Sequence, residues 1–142
     1  SGVQIRGAVY GEDTEVTKKG GKKKKRHQAG RVRGYQVEID PDTTRNRMWT
    51  GGIYDEARRG WLADLSKNKP ARDAFKAGEW NHFRIQANGD EIKTWINGVH
   101  AVTLRDSMDA SGFIGLQVHG QGKDKGRAGK QARWRNIRIK EL

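Results

Sequence analysis

The feature that most narrows what this chain can fold into is a period of two in its apolar residues. In 1–7, SGVQIRG, Val3 and Ile5 alternate with Gln4 and Arg6; in 34–40, GYQVEID, Tyr35, Val37 and Ile39 alternate with Gln36, Glu38 and Asp40. Successive side chains of an extended strand point to opposite faces, so the pattern predicts strands with one buried and one wetted face rather than amphipathic helices, whose period is about 3.6. WNHFRIQA, EIKTWIN and VHAVTL follow, separated by NGD at 88–90 and by Asn97-Gly98. Asn-Gly pairs tolerate the positive φ angles of tight hairpins, which predicts a three-stranded meander over 80–104. FIGLQVH at 113–119 and the stretch 132–140 supply two further strands. Only ARDAFK, just after Pro70, is predicted to be helical.

Strands at this spacing, with 19 glycines available for bends, predict an all-β fold: an antiparallel β-sandwich of the jelly-roll kind. The 142 residues have the size of one domain, and no linker or internal repeat divides them. Without cysteine the chain has neither disulfides nor thiolate metal sites, which fits reducing and oxidising compartments equally. No apolar stretch approaches the roughly 20 residues that a spanning helix needs, so no membrane span is expected, and no leader is visible at the start.

Net charge is +12, and Lys18, Lys19, Lys22, Lys23, Lys24, Lys25 and Arg26 alone account for seven of those charges. The Gly- and Lys-rich segments at about 11–30 and 120–131 offer almost nothing to bury and are predicted to be solvated loop insertions. A lysine run attracts phosphate in a salt-sensitive way, but no aromatic side chains interleave it to stack on bases. Nucleic acid is therefore not expected as the partner.

Six blocks in order, SGVQIRG, GYQVEID, TGGIYDEARRGW, EWNHFRIQANGDEIKTWINGV, GFIGLQVHG and WRNIRIKEL, closely resemble the 3-keto-disaccharide hydrolase domain family. The likeness covers nearly all of 1–142 apart from the two lysine-rich insertions. It implies a single concanavalin A-like, lamin-G-like jelly roll with a concave sugar-binding face, a 3-keto-glucoside type of saccharide as substrate, and a periplasmic or secreted location. Members of the family carry one or more strands ahead of the block that opens this chain. The sandwich is therefore expected to lack N-terminal strands and to present an open sheet edge, so that either the sequence is a fragment or a partner chain or second copy covers the edge.

If Val3, Ile5, Val37, Ile39, Ile114, Leu116 and Val118 face the core, alternation places Gln4, Arg6, Gln36, Glu38, Gln117 and His119 together on the opposite face. A cation, a carboxylate, an imidazole and three amides suit the gripping of hydroxyls. Imidazoles titrate near neutrality, and the glycine after His119 lets a ligand approach the backbone, so His119, Glu38 and Arg6 are the candidate catalytic residues. His27, His82 and His100 are expected to be structural or surface residues. In TGGIYDEARRGWL, Tyr54, Glu56, Arg59 and Trp61 could wall a saccharide site, the rings stacking on sugar faces. With Gln4, Gln36 and Gln117 they are the candidate substrate-binding residues. Arg135 joins them by resemblance, although alternation aims it to the side of Ile137 and Ile139. No tight metal-ligand spacing exists, and only Glu38 with His119 offers an oxygen and a nitrogen to a divalent ion.

The substrate class implied by the resemblance has an acidic C2 hydrogen beside its ketone. A base at C2, His119 or Glu38, lets the glycosidic bond leave by elimination through an enolate held by Arg6 or a divalent ion, and water then adds back. This reading favours an enzyme. A non-catalytic carbohydrate-binding module is the alternative, since the same amides and rings serve it. A retaining β-glucanase needs two carboxylates about 5–5.5 Å apart; Glu38 and Asp40 begin its E-x-D-x-x-E pattern, but Thr43 stands at the third acidic position.

Overall fold

The structure, a computed structural model, describes residues 1–17, 24–41, 47–120, 129 and 131–142. Its elements are β1 (Gly2–Val9), β2 (Thr14–Thr17), β3 (Lys24–His27), β4 (Val32–Glu38), β5 (Ile53–Glu56), β6 (Gly60–Ala63), α1 (Lys69–Ala74), β7 (Phe83–Asn88), β8 (Glu91–Ile96), β9 (Val99–Arg105) and β10 (Phe113–Gln117). A five-stranded sheet in the order β10-β1-β4-β5-β6 lies against the three-stranded meander β7-β8-β9, and β2 with β3 forms a separate ribbon. Every ladder is antiparallel. The protein is thus an all-β sandwich of the jelly-roll class, as the period of two requires.

The alternation sets the core. Tyr35 of β4, Ile53 of β5 and Ile92 and Ile96 of β8 are fully buried and pack in one core cluster, and Val37 of β4 is 1% exposed. Burying each such side chain contributes about 1.5–3 kcal/mol. A buried hydrogen bond stitches the layers, Thr94 Oγ1 donating to the Gly51 carbonyl at 2.6 Å. Gly51 has φ +95, and a Cβ there would stand 2.8 Å from Ile96 Cγ1, so this contact point admits only glycine. Asn97 (φ 51) and Gly98 (φ 83) make the β8–β9 turn that the Asn-Gly pair predicts. The helix after Asn68 is short because it is pinned rather than self-sufficient. Asn68 caps it by accepting from Ala71 N, and donates to the Ala101 carbonyl at 2.8 Å.

Three expectations change. First, 11–30 is not wholly a loop: Thr14 to Thr17 pair with His27 to Lys24. Lys24–Glu15 and Arg26–Asp13 ion pairs at 3.0 and 2.9 Å offset part of the charge across the ribbon. His27, expected to be a structural or a surface residue, is structural: it is buried and stacks on Tyr10, the ring centroids 5.6 Å apart. Lys18, Lys19, Lys22 and Lys23, with 121–128 and 130, lie outside the described residues.

Second, Ile114, Leu116 and Val118 do not reach the core. Leu116 is in register with Val3, and Val3 with the buried Val37. Yet the three side chains are 44–65% exposed, because core contacts over this sheet come from the short meander and none of its residues covers the β10 column. Third, 132–140 is irregular rather than a strand. Asn136 takes φ 53, which breaks the extended run, and Ile137 and Ile139 are exposed.

Candidate functional site

Because Tyr35 and Val37 turn inward, Gln36 and Glu38 turn to the other face of the large sheet. Register then aligns Gln117, Gly2 and Glu38 in one row, and Gly115, Gln4, Gln36, Tyr54 and Trp61 in the next. A third row follows, in which Phe113 of β10 stands opposite Gly7 and Glu56 of β5 opposite Gly34.

Polar groups are buried on this face. Gln36 Nε2 donates to Glu38 Oε1 at 2.7 Å and to Gln117 Oε1 at 3.1 Å, which joins three of the expected residues into one chain. Gln4 and Gln36 are only 4% and 1% exposed, yet Gln4 Nε2 and Gln36 Oε1 make no hydrogen bond among the described residues. A buried amide atom without a partner costs about 1–3 kcal/mol, so two of them on one face mark a spot whose polar groups the described residues leave unsatisfied. Burial is also the largest influence on Glu38: it lifts the carboxyl to about 7, against the lowering pull of the Ser1 amino group and the Gln36 amide, and Asp40 and Glu56 push the same way as burial. A carboxyl in that range exchanges protons at neutral pH, which suits a general base.

A groove of about 270 Å³ runs from this chain of amides toward the third row, lined by Gln4, Gln117, Gly115, Phe113, Val32 and the Arg31–Glu56 ion pair. Toward the opposite edge of the sheet Tyr54, Trp61 and Trp49 meet edge to face, at 5.4 and 4.9 Å between ring centroids. His119 is exposed just beyond the end of β10, its backbone N–H donating to Ser1 Oγ at 3.3 Å and its Nδ1 beside the Gly120 carbonyl at 2.7 Å. Ser1 exchanges backbone hydrogen bonds with Ile39, the residue after Glu38, and so links the chain just beyond β10 to the end of β4.

Three of the expected residues do not join this group. Arg6 sits in a β-bulge at φ 49, where the ladder register of β1 shifts, and the alternation fails there. Its guanidinium donates to the Gly89 carbonyl at 2.8 Å and the Asp109 carbonyl at 3.3 Å, at the loop end of the sandwich. Arg59 belongs to an ion network on the core side: with Arg58 it holds the fully buried Asp55, and it reaches Asp106 at 2.7 Å. Arg135 lies over the Trp80 ring, 3.9 Å from its centroid, away from the groove. Among the described residues no group of three or more histidines and carboxylates converges as a metal ion would need, so Glu38 and His119 gain no third ligand there.

Phe113, Arg31 and Val32 were not singled out from the sequence. Phe113 was legible, since it shares parity with Gln117 and His119. Arg31 and Val32 follow the lysine-rich insertion, and only the ladder pairing brings them to β10's side of the face.

Among the described residues no helix is long and apolar enough to cross a membrane. Comparison with curated proteins yields no match. The chain belongs to the 3-keto-alpha-glucoside-1,2-lyase-like domain family, whose family model matches residues 1–140.

Proposed function

We propose that this face binds a 3-keto-glycoside and cleaves it by elimination, with Glu38 as the base. The observation that carries the reading is Glu38 itself, a carboxyl lifted to about 7 by burial and joined through Gln36 to Gln117 of the groove wall. The carboxylate takes the C2 proton, and the C–H electron pair becomes an enolate across C2 and C3. The enolate oxygen accepts from Gln4 Nε2, a buried donor with no partner among the described residues, once the Gln4 amide turns toward the groove it lines. As the C3 carbonyl re-forms, C1=C2 forms and the C1–O bond breaks. The departing oxygen takes a proton from the exposed His119 imidazole, and water adding across the new double bond completes net hydrolysis. Arg6, held by two carbonyls elsewhere, has no part in it.

Incubation with a 3-keto-glucoside and detection of the released alcohol tests the reading. Turnover should rise with pH around 7 as Glu38 ionises, and Glu38→Gln should lower kcat by about 10²–10⁴-fold. A Glu38→Gln variant as fast as the parent removes the proposed base. The unpartnered Gln4 and Gln36 amide atoms also favour a second reading, a carbohydrate-binding module. Saccharide binding that Gln4→Ala weakens, without turnover of any keto sugar, would select it.

A further inference from the structure

We infer that the groove between Phe113 and the Arg31–Glu56 pair is the subsite for the leaving group, and that it takes an uncharged ring; this rests on the elimination reading above. Four steps along β10 separate Gln117, in the Glu38 row, from Phe113, which at the rise of a strand is about 13 Å. That span leaves room for the ring being cleaved and for one more ring beyond it.

The construction of this end fits a stacking platform. A Cβ on Gly7 would stand 2.7 Å from Phe113 Cε2, and one on Gly115 3.4 Å, so two glycines let the phenyl ring lie down on the backbone. The ring is still 42% exposed. Val32 gives an apolar wall opposite, and Gln4, which lines the groove and whose buried Nε2 is unpartnered among the described residues, stands between this end and the Glu38 row. Arg31 and Glu56 at the rim neutralise one another, and a leaving group with its own anion would compete with Glu56 for Arg31. An apolar ring face edged by hydroxyls, as in a pyranose, matches every one of these groups.

The test compares two substrates: methyl 3-keto-α-glucoside, which has no second ring, and the 3-keto-disaccharide derived from trehalose. Phe113→Ala should lower kcat/KM for the disaccharide about ten-fold, the size of one aromatic stacking contact, and leave the methyl glycoside within about two-fold. Phe113→Leu, which keeps apolar volume but not the ring, should behave like Phe113→Ala. Equal losses on both substrates, or full recovery with leucine, would overturn the subsite and leave the elimination reading intact. If the parent turns over neither substrate, that reading fails on its own, and calorimetric binding of unoxidised trehalose decides the subsite: binding unchanged in Phe113→Ala overturns it.

Discussion

Replacing Glu38 by glutamine should stabilise this protein at alkaline pH, and the size of the gain follows from the burial of the side chain. The carboxyl stands at about 7 in the folded chain against 4.5 for a free glutamate, with burial as the main cause. One pKa unit corresponds to about 1.4 kcal/mol, so the folded state carries a penalty of about 3 kcal/mol once the group must ionise. The sign is set by which state holds the proton. Below 4.5 both states are protonated and the penalty is absent. Between 4.5 and 7 the unfolded chain ionises while the folded one keeps its proton, so stability falls as pH rises. Above 7 the full cost remains. A glutamine in its place would never ionise, and its side-chain carbonyl can still accept from Gln36 Nε2 as the Glu38 carboxyl does now. Urea unfolding followed by tryptophan fluorescence at about pH 4.5, 6 and 8 should therefore give near-equal stabilities at the lowest pH and a variant ahead by up to about 3 kcal/mol at the highest. Parallel profiles for parent and variant would refute the buried-carboxyl argument. The same change should silence the proposed chemistry, an exchange of activity for stability common at strained sites.

The ion network at the loop end gives the opposite pH response. Burial alone would raise Asp106, but Arg59, the Tyr35 hydroxyl and the Met108 N–H outweigh it and hold the carboxyl at about 2, so its stabilising contribution is complete above 3.8 and lost as pH falls toward 2. Arg59→Gln should move the acid-unfolding midpoint, read by circular dichroism, upward by about one unit, and an unmoved midpoint would show that the network does not hold the end together. Thr94→Val keeps the shape but strips the Gly51 carbonyl of its donor, and should cost about 1–3 kcal/mol in the same urea assay; a neutral result would mean that the carbonyl finds another partner.

Parity was the part of this molecule most open to reading from sequence. Gln4, Gln36, Glu38 and Gln117 fall on one face because Val3, Val37 and Leu116 alternate with them, and the register agrees with that placement. Arg6 fails for a local reason: a single residue at positive φ shifts the ladder, and nothing in SGVQIRG marks where a bulge will fall. Arg59 fails for a tertiary one, since its carboxylate partners Asp55 and Asp106 are 4 and 47 residues away, and only the fold brings both to it. The segment 132–140 has the alternation of a strand but ends up without a ladder, and alternation alone says nothing about which edge will accept a strand. The ribbon of β2 and β3 was hidden by its lysines: its hydrogen bonds need no apolar face, and His27 finds cover on Tyr10.

The uncovered side chains of β10 bear on how the molecule behaves among its own kind. Along that edge, where no described strand pairs, backbone donors and acceptors stand free beside a row of greasy side chains, the combination that recruits an extended peptide into a sheet. A net charge of +12 opposes the approach of two such molecules, and salt at physiological strength blunts that repulsion beyond about 8 Å. Raising the salt should therefore make the chain stickier rather than more soluble, until a strand of fitting sequence occupies the place.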